Sequence, residues 1–168
     1  MAHDMDRLLE LSDEIWEKSV IPSLSEFIGI KALSPLFEPD WEELGELDDV
    51  IELFCNWIDM QGISGLSYSV HRLEGRSPVL LVTVEGTGKG EVIFYSHLDK
   101  QPSKPELWSD GLGPLDAVRR GEWLFGRGSI DDGYGGYLCL ASLKILQESG
   151  IPHPVSYTHL TLPTRRGG

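Results

Sequence analysis

The spacing of apolar residues changes along the chain, and this change limits the fold more than any other feature of the sequence. Apolar residues recur at three- and four-residue steps over residues 5–20 and 47–58, which predicts two amphipathic helices, the second ended by Gly62. Strand-like patterns follow, and a last helical pattern occupies residues 137–148. Helices first, then strands, then a strand–loop–helix unit predict an α/β fold with a mixed β-sheet flanked by helices.

Three strand-length segments occupy the middle of the chain. Residues 66–71 alternate apolar and polar side chains, residues 79–84 form a continuous apolar run, and residues 91–95 read as a short strand buried on both faces. The sequence GTGKG at residues 86–90 lacks the residue spacing of a phosphate-binding loop. It is therefore predicted to be a hairpin turn between the second and third strands.

The segment SHLDKQP, residues 96–102, places His97 and Asp99 just past the carboxyl end of the third predicted strand. In open α/β sheets this edge is where ligands bind. One nitrogen of His97 can bind a metal, while Asp99 can accept a hydrogen bond from the other nitrogen and fix the tautomer. Taken alone, this pattern is weak, because a histidine beside a strand is more often structural.

A second segment, GRGSIDDGYGG at residues 126–136, surrounds Asp131 and Asp132 with glycines just before the last helix. Acidic residues are favoured at a helix N-terminus by the helix dipole, which accounts for one of these carboxylates. Helix capping does not account for five glycines in eleven residues. Glycines allow the backbone to turn tightly and to approach a bound ion, so a metal-binding loop is predicted.

Together the two segments resemble the metal-binding motifs of the co-catalytic zinc peptidases and deacylases, metallopeptidase family twenty. This family includes carnosinase-type dipeptidases, glutamate carboxypeptidases, acetylornithine deacetylase and succinyl-diaminopimelate desuccinylase. Its first motif is a strand ending in His-x-Asp, and its second is Gly-Arg-Gly-x-x-Asp-x-Lys-Gly. The resemblance covers about residues 5–154 and departs from the second motif at Gly133, where the family usually carries lysine.

The resemblance implies the N-terminal part of a zinc-peptidase-like catalytic domain, incomplete in this chain. It implies that His97 is a ligand of one zinc, that Asp131 bridges two, and that Asp99 is the active-site residue that orients His97. Two Zn²⁺ per complete site are expected, with Co²⁺ or Mn²⁺ as substitutes. The implied reaction is hydrolysis of peptide or N-acyl amide bonds of small substrates, by a dipeptidase, a carboxypeptidase or an amino-acid deacylase.

Two metal ions about 3.5–4 Å apart share and activate a water molecule, and a glutamate must take its proton. The family that this chain resembles completes its metal ligands and its general base with a Glu-Glu pair, a later acidic residue and a final histidine. None of these has a matching position in this chain. The chain alone is therefore predicted to be inactive. One alternative is a non-catalytic module that reuses the fold for binding, suggested by Gly133 and the missing ligands. A purely structural domain would leave the glycine-rich loop around Asp131 unexplained.

The C-terminal sequence VSYTHLTLPTRRGG breaks the expected pattern of an α/β chain. Residues 1–154 are predicted to be the N-terminal portion of the catalytic domain. Residues 155–168 resemble translated sequencing-adaptor sequence and are predicted to be a non-native tail that packs poorly or mispairs with the sheet. The lid or dimerisation domain of the family is not matched in this chain, and a homodimer is one expected assembly of the full-length protein.

Composition restricts the partners and the compartment. The chain has 27 acidic and 14 basic residues and a formal net charge of -13, which disfavours nucleic acid and anionic membranes as partners. Small peptides or N-acyl amino acids are the expected substrates. Cys55 and Cys139 form neither a CxxC pair nor a disulfide framework, and the N-terminus lacks the apolar run of a signal peptide. A cytoplasmic location is therefore expected.

Overall fold

The computed structural model describes residues 5–153 and 156–161 of the 168-residue chain. Its helices are α1 (Met5–Ile15), α2 (Ile21–Gly29), α3 (Trp41–Leu44), α4 (Glu46–Gln61) and α5 (Gly133–Glu148), with a π-helical turn at Trp16–Val20. Its strands are β1 (Leu66–Leu73), β2 (Arg76–Val84), β3 (Glu91–Ser96), β4 (Val118–Arg120), β5 (Trp123–Phe125) and β6 (Ser156–Thr161). The predicted α/β class, with a mixed sheet and flanking helices, is confirmed.

The helices begin and end where local chemistry requires. Pro22 follows the π-helical turn Trp16–Val20 directly, so the residue that has no N–H to donate lies where the hydrogen-bond pattern of the helix changes. Gly62 caps α4 with a φ of 64°, a left-handed conformation that glycine adopts without steric cost. The first predicted helix is continuous helical chain, but its α-helical part ends at Ile15 and a π-helical turn leads into α2. Within the described residues, no helix combines the length and apolar character that a bilayer span requires.

The four-stranded sheet has the order β1-β2-β6-β3, which corrects one prediction. Residues 86–90 do not form a hairpin turn, because β6 lies between β2 and β3. Strand β6 runs antiparallel to β2, pairing Tyr157 with Val84, and parallel to β3, pairing Tyr157 with Val92. The loop after β2 therefore crosses the width of one inserted strand.

The insertion of β6 also corrects the predicted mispairing of residues 156–161. Alternation of side chains lets this polar strand fit a pleated surface. The Tyr157 ring stacks on Phe94 with centroids 5.7 Å apart, and the Thr158 hydroxyl donates a hydrogen bond to the Glu91 carboxylate. The rest of the predicted tail, residues 155 and 162–168, lies outside the described residues. Whether residues 155–168 are native stays a prediction.

One hydrophobic core joins the helices to the sheet. Leu80, Val82 and Val84 alternate along β2 and are each at most 1% exposed, so one face of this strand is fully covered. The ring of Tyr137, on α5, packs against Phe54 and Trp57 of α4 with centroids 4.9 and 4.7 Å away. Such aromatic pairs add roughly 0.5–1.5 kcal/mol each beyond area burial. This packing fixes α5, and with it the loop that carries Asp131.

Candidate metal centre

The carboxyl end of β3 leads directly into the candidate site. Strand β3 ends at Ser96, and residues 96–100 are all buried. His97 is 8% exposed and Asp99 is 5% exposed, so both polar side chains are held inside the protein. Polar side chains this deeply buried need hydrogen-bond partners.

Asp99 supplies the partner for one nitrogen of His97. The His97 Nδ1 lies 3.0 Å from the backbone oxygen of Asp99 and 3.2 Å from its carboxylate Oδ1. The hydrogen bond to the Asp99 carboxylate raises the pKa of His97 to about 9, against the opposing effect of burial. Because Nδ1 faces Asp99, the other nitrogen, Nε2, is directed away from it. The structure thus places Asp99 in contact with His97, as predicted.

The glycine-rich loop brings Asp131 to the same edge of the sheet. A side chain at Gly126 would place its Cβ 2.4 Å from the Ile28 Cγ2, and the φ of 152° at this position also excludes most other residues. This close approach draws the loop against α2. Asp131 remains half-exposed, and its Oδ2 accepts a hydrogen bond from the Arg127 guanidinium at 3.1 Å.

The two predicted metal ligands face each other. His97 Nε2 lies 3.4 Å from Asp131 Oδ1. An imidazole nitrogen and a carboxylate oxygen are both donor atoms that zinc accepts, and the two lie within reach of a shared ion. The donor chemistry and the separation therefore fit a zinc ion. Within the described part of the chain, no group of three or more His, Cys, Asp or Glu side chains could hold a metal ion, and His97 and Asp131 stay predicted ligands.

Asp132 has a different environment from Asp131. It is the N-cap residue of α5, but its side chain makes no capping hydrogen bond. Burial raises the pKa of Asp132, while the charge of His97 acts in the opposite direction. Asp132 therefore lies at the helix N-terminus, where an acidic residue was expected. Its side chain, however, does not cap the helix with a hydrogen bond.

The fold of this chain is similar to the folds of several solved structures. Dug1p, a di-peptidase from Saccharomyces cerevisiae, aligns with 97% of this chain at a TM-score of 0.72 and 20% identity, and human carnosine dipeptidase 1 with 95% at 0.72 and 20%. The M20 family metallo-carboxypeptidase Sso-CP2 from Sulfolobus solfataricus aligns with 87% at 0.69 and 19%. The chain spans 35%, 34% and 30% of these three proteins, respectively, so it corresponds to about a third of each. No curated protein sequence matches the chain.

The sequence itself matches the model of Peptidase family M20/M25/M40 over residues 93–163. The predicted family resemblance is confirmed. The match starts within β3, includes His97 and Asp131, and ends beyond the predicted boundary at residue 154. The M20 resemblance therefore applies to the segment that carries the candidate site.

Packing explains why this chain departs from the M20 motif at Gly133. A Cβ there would lie 2.2 Å from the Phe27 Cε1 and 2.9 Å from the backbone oxygen of Gly128. A lysine cannot be placed in this space unless Phe27 moves. Glycine at this position therefore suits the close packing of the loop against α2, and the alternative of a non-catalytic binding module stays a prediction.

Sequence reasoning missed two residues of the site. Arg127 binds the carboxylate of Asp131, and Lys100, 1% exposed, is buried next to the loop that carries it. Both were visible as charged residues inside the two motifs. Their partners, however, come from the fold: the backbone N–H of Arg127 donates to Pro114, and the Lys100 ammonium donates to carbonyls at the end of α2. No local sequence pattern predicts these contacts, because they join segments that are far apart in the sequence.

Replacing Asp99 with asparagine should lower the pKa of His97 from about 9 toward its ordinary 6.5, because the carboxylate is the main cause of the shift. A raised pKa stabilises the folded chain below pH 6.5, and this stabilisation is lost as the pH rises from 6.5 through 9. The destabilisation caused by Asp99→Asn should therefore be larger at pH 6 than at pH 10.

Histidine NMR titration and denaturant unfolding, both in the presence of a chelator, measure these two effects. The exposed His71 on β1, which contacts the Ser69 hydroxyl at 2.9 Å, is an internal control whose ring signals should not respond to the substitution. A His97 titration that is the same in both proteins would show that Asp99 does not control this imidazole.

Proposed function

We propose that this chain is the N-terminal part of the catalytic domain of a dinuclear zinc hydrolase that cleaves peptide or N-acyl amide bonds of small substrates. The observation that carries the proposal is the 3.4 Å approach of His97 Nε2 to Asp131 Oδ1 at the carboxyl end of β3. The match to the M20 peptidases over residues 93–163 supports it.

Each of the three residues has a distinct task in this proposal. His97 would hold one zinc ion through Nε2, and the carboxylate of Asp131 would be shared between the two zinc ions. Asp99 holds the proton on Nδ1 of His97, so Nε2 is the nitrogen left free of a proton when the ring is neutral. The same contacts keep the ring from rotating. When bound, a pair of zinc ions would polarise the scissile carbonyl and lower the pKa of a shared water.

The protonation of His97 sets a cost on metal binding. Because its pKa is raised to about 9, the imidazole carries a proton at neutral pH that must leave before Nε2 can bind zinc. Arg127 has a related effect at Asp131, since its guanidinium donates a hydrogen bond to Oδ2 and its positive charge opposes the approach of a cation. Both features hold the donor atoms in place, and both oppose metal binding, His97 through its proton and Asp131 through the positive charge of Arg127.

The names of similar proteins support the substrate class. Dug1p is described as a di-peptidase, a second neighbour is a carnosine dipeptidase, and Sso-CP2 is a metallo-carboxypeptidase. A small peptide or an N-acyl amino acid is the proposed substrate, with Co²⁺ or Mn²⁺ able to replace zinc. A homodimeric full-length protein is proposed on the same resemblance. A cytoplasmic location is proposed because Cys55 and Cys139 are free thiols, which are typical of a reducing compartment.

The missing ligands are proposed to lie in the part of the protein beyond this chain, which spans about a third of its structural neighbours. The experiment compares this chain with the full-length protein encoded by the same gene. Both are supplied with dipeptides and N-acetyl amino acids, before and after treatment with a chelator and readdition of zinc.

The full-length protein should show hydrolysis that a chelator removes and zinc restores, because only it supplies the general base and the remaining ligands. The isolated chain should show none under the same conditions. Chelator-sensitive turnover by the isolated chain would contradict its proposed inactivity. Absence of zinc-dependent turnover from a folded full-length protein, across both substrate types, would contradict the hydrolase proposal itself.

A further inference from the structure

Lys100 is 1% exposed, although lysine is almost never fully buried unless its charge is paired. Among the described residues, no carboxylate forms a salt bridge with its ammonium. Its ammonium instead donates to three backbone carbonyl oxygens, those of Phe27 at 2.7 Å, Ile28 at 3.2 Å and Ile30. Burial lowers the pKa of Lys100 to about 7, whereas the three acceptors favour the charged form, because only the ammonium has three N–H donors.

These three carbonyls belong to the carboxyl end of α2. The last carbonyls of a helix have no intrahelical partner, and the helix dipole makes this end attractive to a cation. Helix α2 ends at Gly29 with Ile30 as its cap residue, so Lys100 closes this end with its side chain. The contact joins residues far apart in the sequence.

The backbone of Lys100 is fastened to the same segment. Its N–H donates to the Ala32 oxygen at 2.8 Å, and its carbonyl accepts from the Ser34 N–H at 2.9 Å. The side chain of Lys100 therefore binds the segment before the turn that follows α2, and its main chain binds the segment after that turn. Because His97 is only three residues away, its position relative to α2 is fixed by the same anchor.

The other side of this anchor is the loop that carries Asp131. The Lys100 ammonium lies 4.2 Å from the centroid of the Phe27 ring. A Cβ at Gly128 would lie 2.7 Å from the Phe27 Cε1 and 3.0 Å from the Lys100 Cε. The glycine loop thus rests on the lysine stem and on the ring beneath it.

We propose that Lys100 is a positioning residue that sets the separation between His97 and Asp131. It holds the His97 segment by its main chain and contacts the Asp131 loop with its side chain, using the end of α2 as a fixed support. It acts through the two segments that bear the donor atoms, by its main chain on the His97 side and by its side chain on the Asp131 side. The effect on metal binding rests on the proposed function, whereas the effect on the geometry of His97 does not.

The test uses Lys100→Met, which keeps the length of the stem and its packing on Phe27 but removes all three donors. Lys144→Met is the matched control, because Lys144 also donates to a carbonyl at the end of a helix, that of Gln61 at 2.5 Å, but far from the site. Two quantities are measured: solvent exchange of the His97 Nδ1–H by NMR in this chain without metal, and zinc affinity of the full-length protein.

Lys100→Met should accelerate exchange of the His97 ring proton by roughly tenfold or more, since the local opening that exposes it becomes easier. It should weaken zinc binding by about 10–100-fold, the usual cost of losing a residue that orients a ligand. Lys144→Met should change neither by more than about twofold. Should Lys100→Met fail to fold, Lys100→Gln, which keeps an N–H donor, is measured in the same way.

Equal effects of the Lys100 and Lys144 variants on both quantities would overturn the proposal, because they would show only a general loss of stability. Unchanged exchange of the His97 proton in a folded Lys100 variant would overturn it as well. If the unaltered full-length protein binds no zinc, the proposed function fails, and exchange of the His97 proton still decides the role of Lys100.

Discussion

Replacing His97 with alanine is expected to remove nearly all of the hydrolysis proposed for the full-length protein and one of the two metal ions proposed for its site. The Nε2 atom of His97 lies 3.4 Å from Asp131 Oδ1, and alanine leaves that position with no donor atom. Removal of a group that merely orients a metal ligand typically costs 10–100-fold, so loss of the ligand itself should cost more than about 100-fold. Metal content by atomic absorption and kcat/KM for a dipeptide measure the two effects.

The substitutions around His97 should form a graded series. Asp99→Asn keeps the imidazole but removes the carboxylate at 3.2 Å from Nδ1, and it should fall in the range of roughly 10–100-fold. His71→Ala, at an exposed position on β1, should have no measurable effect on activity or metal content. If His97→Ala retained both metal ions and activity within tenfold of the unaltered protein, His97 would not be a ligand.

Much of the fold follows from local patterns. Helix α4 was predictable because its apolar face repeats at helical steps and a glycine is available to end it. The hairpin of β4 and β5 turns at Gly121, whose φ of 62° suits glycine. In these elements the sequence neighbours of a residue are also its structural neighbours, so periodicity carries the necessary information.

The position of β6 could not be predicted in the same way. Consecutive strands are usually adjacent in a sheet, which favoured a hairpin between β2 and β3. The actual neighbour of both is a strand from much later in the chain. Nothing in residues 86–90 records that insertion, because a loop that crosses one strand and a tight turn can share the same glycine-rich composition.

In the candidate site, too, some residues could be predicted from the local sequence and others could not. His97, Asp99 and Asp131 could be named because their residue types and spacing resemble known motifs, and the structure brings them together. Lys100 could not be assigned a role, because its three acceptors are backbone carbonyls, which every residue possesses. Recognising it required knowing where α2 ends in space.

Replacing Gly133 with alanine is expected to destabilise the folded chain by about 1–3 kcal/mol, the usual cost of forcing extra volume into a packed core. The new Cβ would lie 2.2 Å from the Phe27 Cε1 and 2.6 Å from its Cζ. Lysine, the usual M20 residue at this position, would introduce the same Cβ and should be at least as destabilising here. Denaturant unfolding of the metal-free chain measures the change.

Gly29→Ala is the matched control, because Gly29 is also helical but its Cβ would meet nothing closer than 3.9 Å. It should be neutral or stabilise the chain by up to about 1 kcal/mol, since alanine favours the helix. Phe27→Leu lacks the two ring atoms that cause the clash, so the Gly133 substitution should cost much less in that background. Equal costs of Gly133→Ala with and without Phe27 would show that the ring does not exclude a side chain at this position.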